Sequence, residues 1–175
     1  MSLALGASAP TFTLPDTEGA ATALDDGPSA ATVVVFTCNH CPYARAWHDR
    51  LQNVARDYRD RGVRTLQINS NDAERYPGDS LAAMTARVRD GEFAGPYLRD
   101  ATQDVARAWG AAVTPDVFVL DGEGRVVYHG APDDDYGDES LAARWLRDAL
   151  DDALAKRPVA RAESKPVGCS IKWRS

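Results

Sequence analysis

The run Val33-Val34-Val35-Phe36 is followed after one residue by Cys38-Asn39-His40-Cys41-Pro42, and this junction constrains the fold more than any other part of the chain. Four consecutive apolar residues, three of them β-branched, suit a strand covered on both faces. Beyond the cysteines, Ala44, Trp47, His48, Leu51, Val54, Ala55 and Tyr58 recur at helical spacing, with Arg, Asp and Gln between them, so a helix runs to about Asp60. Gly62 ends it, and Val63–Ile68 reads as a second strand. A strand–helix–strand unit normally closes as a right-handed crossover in a parallel sheet.

The remaining elements follow from similar signals. Pro10–Leu14 alternates weakly, as a short entering strand does, and Thr17–Ala31 reads as a loop holding at most a small hairpin. Pro77–Arg89 contains a shorter helix with Ser80 as its N-cap. Pro96–Leu98 adds a brief strand, and Thr102–Trp109 a helix stopped by Gly110. Val117–Leu120 and Arg125–His129 are strands joined by Asp121-Gly122-Glu123-Gly124, a turn in composition. Asp138–Ala155 reads as one amphipathic helix through Leu141, Trp145, Leu146, Ala149, Leu150 and Ala153, and Asp133-Asp134-Asp135 before it as a solvated loop. The expected class is α/β with a central mixed sheet flanked by helices, residues 1–155 forming one domain.

Charge separates the last segment from the rest. The chain of 175 residues carries 20 Lys/Arg against 26 Asp/Glu, a net −6 that argues against non-specific nucleic-acid binding. Residues 156–175 hold six Lys/Arg and one Glu, a local +5, which leaves −11 on the body. Such a basic tail can dock on its own domain, on the partner of a homodimer, or on nothing. No apolar run approaches the ~20 residues of a membrane span. No basic residue precedes Arg45, as a secretory signal would require, so the expected location is cytoplasmic.

Three cysteines at this spacing do not make a disulfide scaffold, and the Cys38–Cys41 pair reads as redox-active or metal-binding. The N-terminus of a helix presents unpaired N–H groups and partial positive charge, which favour thiolate over thiol. A second thiol three residues away can resolve a mixed disulfide formed by the first, so exchange needs no cofactor. Cys38, nearer the strand end, is the expected nucleophile and Cys41 the resolving thiol, with His40 between them tuning the thiolate. Pro42 qualifies that order: at the first helical position it makes Cys41 the N-cap and leaves Cys38 in the loop.

The ordered set Val33–Phe36, Cys38-Asn39-His40-Cys41-Pro42, Tyr97-Leu98-Arg99-Asp100, Val105–Gly110, Thr114-Pro115-Asp116 and Val117–Asp121 resembles the thioredoxin-like superfamily. The likeness is to its redoxin branch, which includes the alkyl hydroperoxide reductase/thiol-specific antioxidant group and TlpA-like proteins. It spans roughly Ala9–Ala155, and Gly168-Cys169-Ser170-Ile171-Lys172-Trp173 looks like the tail motif of one sub-group. The resemblance implies a thioredoxin-like fold with an N-terminal β extension. It also implies that Pro115 is a cis-proline beside the cysteines, and that Thr114 offers its backbone to an extended substrate. Two departures stand out: Thr37 occupies the place of thioredoxin's tryptophan, and no acidic residue lies in Val33–Phe36. Asp72 and Asp116 are the candidates to replace that buried proton acceptor.

These readings converge on a thiol-disulfide oxidoreductase acting on protein or low-molecular-weight thiols and disulfides, with no cofactor, metal, nucleic acid or membrane. The alternative is a thiol peroxidase acting on peroxide, in which Arg45 or Arg107 supports the thiolate. Neither register of the peroxiredoxin motif fits: with Cys41 as the peroxidatic residue, Cys38 falls at its Thr position and Val34 at its Pro position. A copper or zinc protein built on Cys38, Cys41 and a histidine is the third reading. Cys169 is either a third redox thiol or a buried tail residue anchored through Ile171 and Trp173.

Overall fold

A computed structural model describes Met1–Ser175. A small hairpin, β1 (Thr13–Pro15) with β2 (Ala21–Ala23), precedes the central strand β3 (Ala31–Thr37). Helix α1 (Pro42–Arg59) crosses over to β4 (Val63–Asn69), which runs parallel to β3 from Ala31↔Val63 to Thr37↔Asn69. A 3-10 turn, Pro77–Asp79, leads into α2 (Leu81–Arg89), where Ser80 accepts from the Ala83 N–H as the expected N-cap. Then come β5 (Tyr97–Arg99), α3 (Asp104–Trp109), the two-residue β6 (Val113–Thr114), β7 (Asp116–Asp121), β8 (Val126–Gly130) and α4 (Arg144–Leu154). The five-stranded sheet is ordered β5-β4-β3-β7-β8, with β7 antiparallel to β3, so the sheet is mixed as expected. No helix is long and apolar enough to cross a membrane.

All seven residues of β3 are buried, and its alternation builds two cores at once. Val33 and Val35 face α1 and α4, meeting Trp47, Leu51, Val54, Leu146 and Leu150. Val34 and Phe36 face the other way, toward α3, where Trp109 packs edge-on against Phe12, Phe36 and Phe118. The strand end and the first turn of α1 are thereby held from both sides, which fixes the cysteine loop between them.

Two expectations fail in the segment before α4. The helix expected from Asp138 begins only at Arg144, after a 3-10 turn at Glu139–Leu141 and two left-handed residues, Ala142 and Ala143. The solvated Asp133–Asp135 loop is also overturned at its first member, because Asp133 is 2% exposed. Its carboxylate accepts from Trp47 Nε1 at 2.8 Å, from Arg50 at 2.9 and 3.0 Å, and from the Ala143 N–H at 2.9 Å. That last bond holds the chain in the irregular turn and delays the helix. Arg50 also donates to the Tyr136 carbonyl.

The tail lies on the body. His129 exchanges strand-like bonds with it (His129 N–H to Ala162 O, Ser164 N–H to His129 O), and Ser164 Oγ meets Tyr128 OH at 2.7 Å. Farther on, β9 (Cys169–Ser170) pairs antiparallel with β6, and Ile171 is buried. The contacts are backbone hydrogen bonds, an apolar anchor, cations over rings (Arg161 on Trp145, Lys172 on Tyr76) and one ion pair, Arg157 with Asp152 at 3.0 Å.

Breaking a buried ion pair leaves one charge uncompensated, at a cost of about 3–5 kcal/mol. Asp133→Ala is expected to lose stability of that order in urea unfolding. A loss below about 1 kcal/mol would show that the pair behaves as a surface one.

Candidate active site

Cys38 ends the strand side of the loop and Cys41 stands at the N-cap of α1, with Pro42 at the first helical position. Both thiols are buried, at 3% and 1% exposure, and they pack together with Ala44. The Thr114–Pro115 bond is cis, as the resemblance implied, and Thr114 contacts both sulfurs. Thr114 Oγ1 lies 3.3 Å from Cys38 Sγ, and the Cys41 thiol, when protonated, donates to Thr114 O at 3.3 Å.

The loop between the cysteines is pinned through Asn39, whose weight the sequence did not reveal. Its N–H donates to Asp79 Oδ1 at 2.7 Å and its Nδ2 to Gly78 O, while its Oδ1 accepts from Tyr97 OH at 2.7 Å and from Arg87 at 2.9 Å. Arg45 donates to the Asn39 carbonyl, which accounts for that arginine without a contact to sulfur. Arg107 lies over the Trp173 ring, so the structure brings neither of the two arginines a peroxidase reading needs into contact with a thiol. Tyr97 is fully buried, which pushes its hydroxyl upward and keeps it a neutral donor.

Asp79 is the second residue the sequence did not single out. It is completely buried and accepts from Asn39 N–H, Asn69 Nδ2 at 3.0 Å and Asn71 Nδ2 at 3.0 Å, and it contacts His40 Nδ1 at 2.7 Å. Its oxygen, the His40 nitrogen and Cys38 Sγ all lie within 4.8 Å of one another. The carboxylate beside the thiols is therefore Asp79, and neither of the two expected candidates. Asp116 is taken by His129 Nε2 at 2.6 Å and by the Ala112 N–H, while Asp72 Oδ1 accepts from the Glu74 N–H. His40 stacks on Tyr76. A metal at Cys38, His40 and Asp79 would compete with the amide donors that already occupy this carboxylate.

The two thiols are driven apart. The Cys38 thiol beside it does most to hold Cys41 down to about 4; Cys169, the Ala44 amide in the first helical turn and Thr114 add to this, against burial. Cys38 moves the opposite way, pushed well above the ordinary range by neighbouring Cys41, by burial and by the Asp79 carboxylate. From the sequence Cys38 is the expected nucleophile. Pro42 at the first helical position puts Cys41 at the N-cap of α1, and Cys169 packs beside it, so the helix terminus and the tail both face Cys41. Cys169 packs against the pair, and burial together with Cys41 raises it to about 11.

Residues 5–129 match the AhpC/TSA family. Two solved structures align over nearly the full chain. An uncharacterized conserved protein from Geobacillus kaustophilus is 41% identical, with a TM-score of 0.93 over 98% of this chain and 93% of that one. A hypothetical protein from Sinorhizobium meliloti 1021 is 38% identical, with a TM-score of 0.95 over 100% of this chain and 97% of that one. The thioredoxin domain of a thiol-disulfide oxidoreductase from Bacteroides vulgatus shares the fold at 21% identity, with a TM-score of 0.63 over 80% of this chain and 96% of that one. No match was found among curated proteins.

A reduced pair holding one thiolate and one thiol takes up a single proton with its two electrons. Its reduction potential should therefore fall by about 30 mV per pH unit between pH 5 and 8, half the slope of a pair in which both thiols are protonated. Titration against glutathione at several pH values measures it, and a slope of about 59 mV per unit would remove the thiolate.

Proposed function

The chain belongs to the AhpC/TSA family, and from that premise we propose that it is a thiol-disulfide oxidoreductase whose Cys38–Cys41 pair exchanges with disulfides of extended protein segments or small molecules. Family membership makes it a thiol redox protein. The observation that carries the finer reading is the contact of both sulfurs with Thr114 beside cis-Pro115, at a strand edge suited to main-chain pairing.

The reaction runs in two steps. The Cys41 thiolate attacks one sulfur of a substrate disulfide, a Cys41–substrate bond forms, and the other substrate sulfur leaves as a thiolate that takes a proton. Cys38 then gives up its proton and attacks Cys41 Sγ, forming Cys38–Cys41 and expelling the second substrate thiolate. The protein's two thiols end as one disulfide, and the substrate disulfide ends as two thiols. His40 and Asp79, close to Cys38 Sγ, stand where the proton from Cys38 leaves.

Thr114 orients the substrate by its backbone, and its hydroxyl holds whichever sulfur carries charge. His40 moderates the field that Asp79 exerts on Cys38. Removing the imidazole leaves the carboxylate less compensated, which disfavours the reduced pair. His40→Ala should thus have a lower reduction potential than wild type in a glutathione titration, and an unchanged potential would take His40 out of the mechanism.

The exchange and peroxidase readings separate in one comparison. The reduced Cys169→Ser protein is treated with one equivalent of glutathione disulfide or of hydrogen peroxide, acid-quenched and mapped by mass spectrometry. Cys38–Cys41 is expected to form faster with glutathione disulfide. Faster oxidation by peroxide, through a sulfenic acid on Cys41, would replace the exchange reading with the peroxidase one.

A further inference from the structure

The strand edge that the proposed reaction offers to a substrate is already occupied. Cys169 lies opposite Thr114 and Ser170 opposite Val113, antiparallel, and the Ile171 N–H continues the ladder to Ala112 O at 3.0 Å. The cysteine in this added strand packs against Cys41. We infer that the C-terminal segment is a tethered substrate, with Cys169 in the place of an incoming chain's cysteine and able to exchange into the Cys38–Cys41 disulfide.

The groove around the segment is built for a peptide backbone. Gln103, fully buried and held at a left-handed φ of 68°, donates through Nε2 to Lys172 O at 2.9 Å and accepts at Oε1 from the Arg174 N–H at 3.0 Å. Asn71, also buried, accepts at Oδ1 from the Lys172 N–H at 2.9 Å, and the Asp72 N–H donates to Lys172 O at 2.8 Å. These bonds read main chain, not side chains, so they hold any extended segment in register.

Two positions select what enters. A Cβ on Gly168 would come within 2.1 Å of Thr114 O, so the residue before the cysteine must be glycine for this approach. Ile171, two residues after the cysteine, is 2% exposed in the core beside Trp109. The groove therefore takes a Gly-Cys-x-apolar segment.

The exchange step balances without another reactant, and it rests on the oxidoreductase reading above. Cys169 gives up its proton and its thiolate attacks Cys41 Sγ of the Cys38–Cys41 disulfide. A Cys41–Cys169 bond forms, the Cys38–Cys41 bond breaks, and Cys38 leaves as a thiolate that takes a proton. No electrons enter or leave. The product stores the same oxidising equivalent with the groove closed by a covalent bond.

The test oxidises reduced full-length protein with one equivalent of glutathione disulfide, quenches it in acid, alkylates free thiols and maps the bonds by mass spectrometry. Wild type is expected to give Cys41–Cys169 with alkylated Cys38 alongside Cys38–Cys41. In Cys38→Ser, Cys41–Cys169 should become the main bond and any glutathione adduct on Cys41 should be short-lived. Gly168→Ala should cut the Cys41–Cys169 yield roughly tenfold and speed Cys38–Cys41 formation, because the edge is then open. A stable Cys41–glutathione adduct in Cys38→Ser, with Cys169 fully alkylated, would overturn the tethered substrate and leave the exchange reading standing. Failure of wild type to form either internal bond would overturn both.

Discussion

The burial of β3 on both faces, between a parallel neighbour on one side and an antiparallel one on the other, sets the position of every reacting group. Because Val33 and Val35 belong to one core and Val34 and Phe36 to the other, the strand cannot shift by a residue without exchanging the two. Its end therefore delivers Cys38 to one place, and the turn into α1 puts Cys41 at a helix N-terminus. The antiparallel neighbour β7 follows directly on cis-Pro115, so the same pairing that locks β3 carries Thr114 to the sulfurs. Fold and site are one constraint here, imposed by hydrophobic burial and inherited by the chemistry.

Around that fixed point the polar groups divide the two thiols. Cys41 sits at the N-terminus of α1 and Cys38 beside the Asp79 carboxylate, which favours charge on the first and disfavours it on the second. Asp79 is fully buried, and the amides of Asn39, Asn69 and Asn71 satisfy its oxygens. Those asparagines come from the cysteine loop, from the end of β4 and from just beyond it. The second core strand thus supplies the polarity that the first lacks.

Much of this was legible in the sequence. The β3–α1–β4 unit, the hairpin of β7 and β8, the Ser80 cap and the mixed sheet all follow from periodicity and turn chemistry, which are local. The pair Cys38 and Cys41, His40, and the Thr114-Pro115 edge stand where motif and resemblance put them, although their roles are proposals. What escaped were residues whose part depends on distant burial. Asp79 sits 40 positions from the Asn39 amide it binds, in a turn with no pattern of its own. Gln103 reads as the start of a helix, yet it serves the tail 69 positions later. Asp133 looked like one of three solvated acids, and only the approach of Trp47 and Arg50 makes it the capping partner that delays α4.

The β6–β9 ladder is two residues on each side and lies near the end of the chain, so its opening breaks a handful of bonds and withdraws one core side chain, Ile171. Such an excursion belongs to the low-energy end of native fluctuations and is uncoupled from global unfolding. Access to the thiols is then governed by a local equilibrium that core-stabilising changes away from Ile171 do not touch. Two relatives of very different melting temperature can therefore share one rate of admission to the site, so that evolution is free to adjust durability and reactivity on separate parts of the same chain.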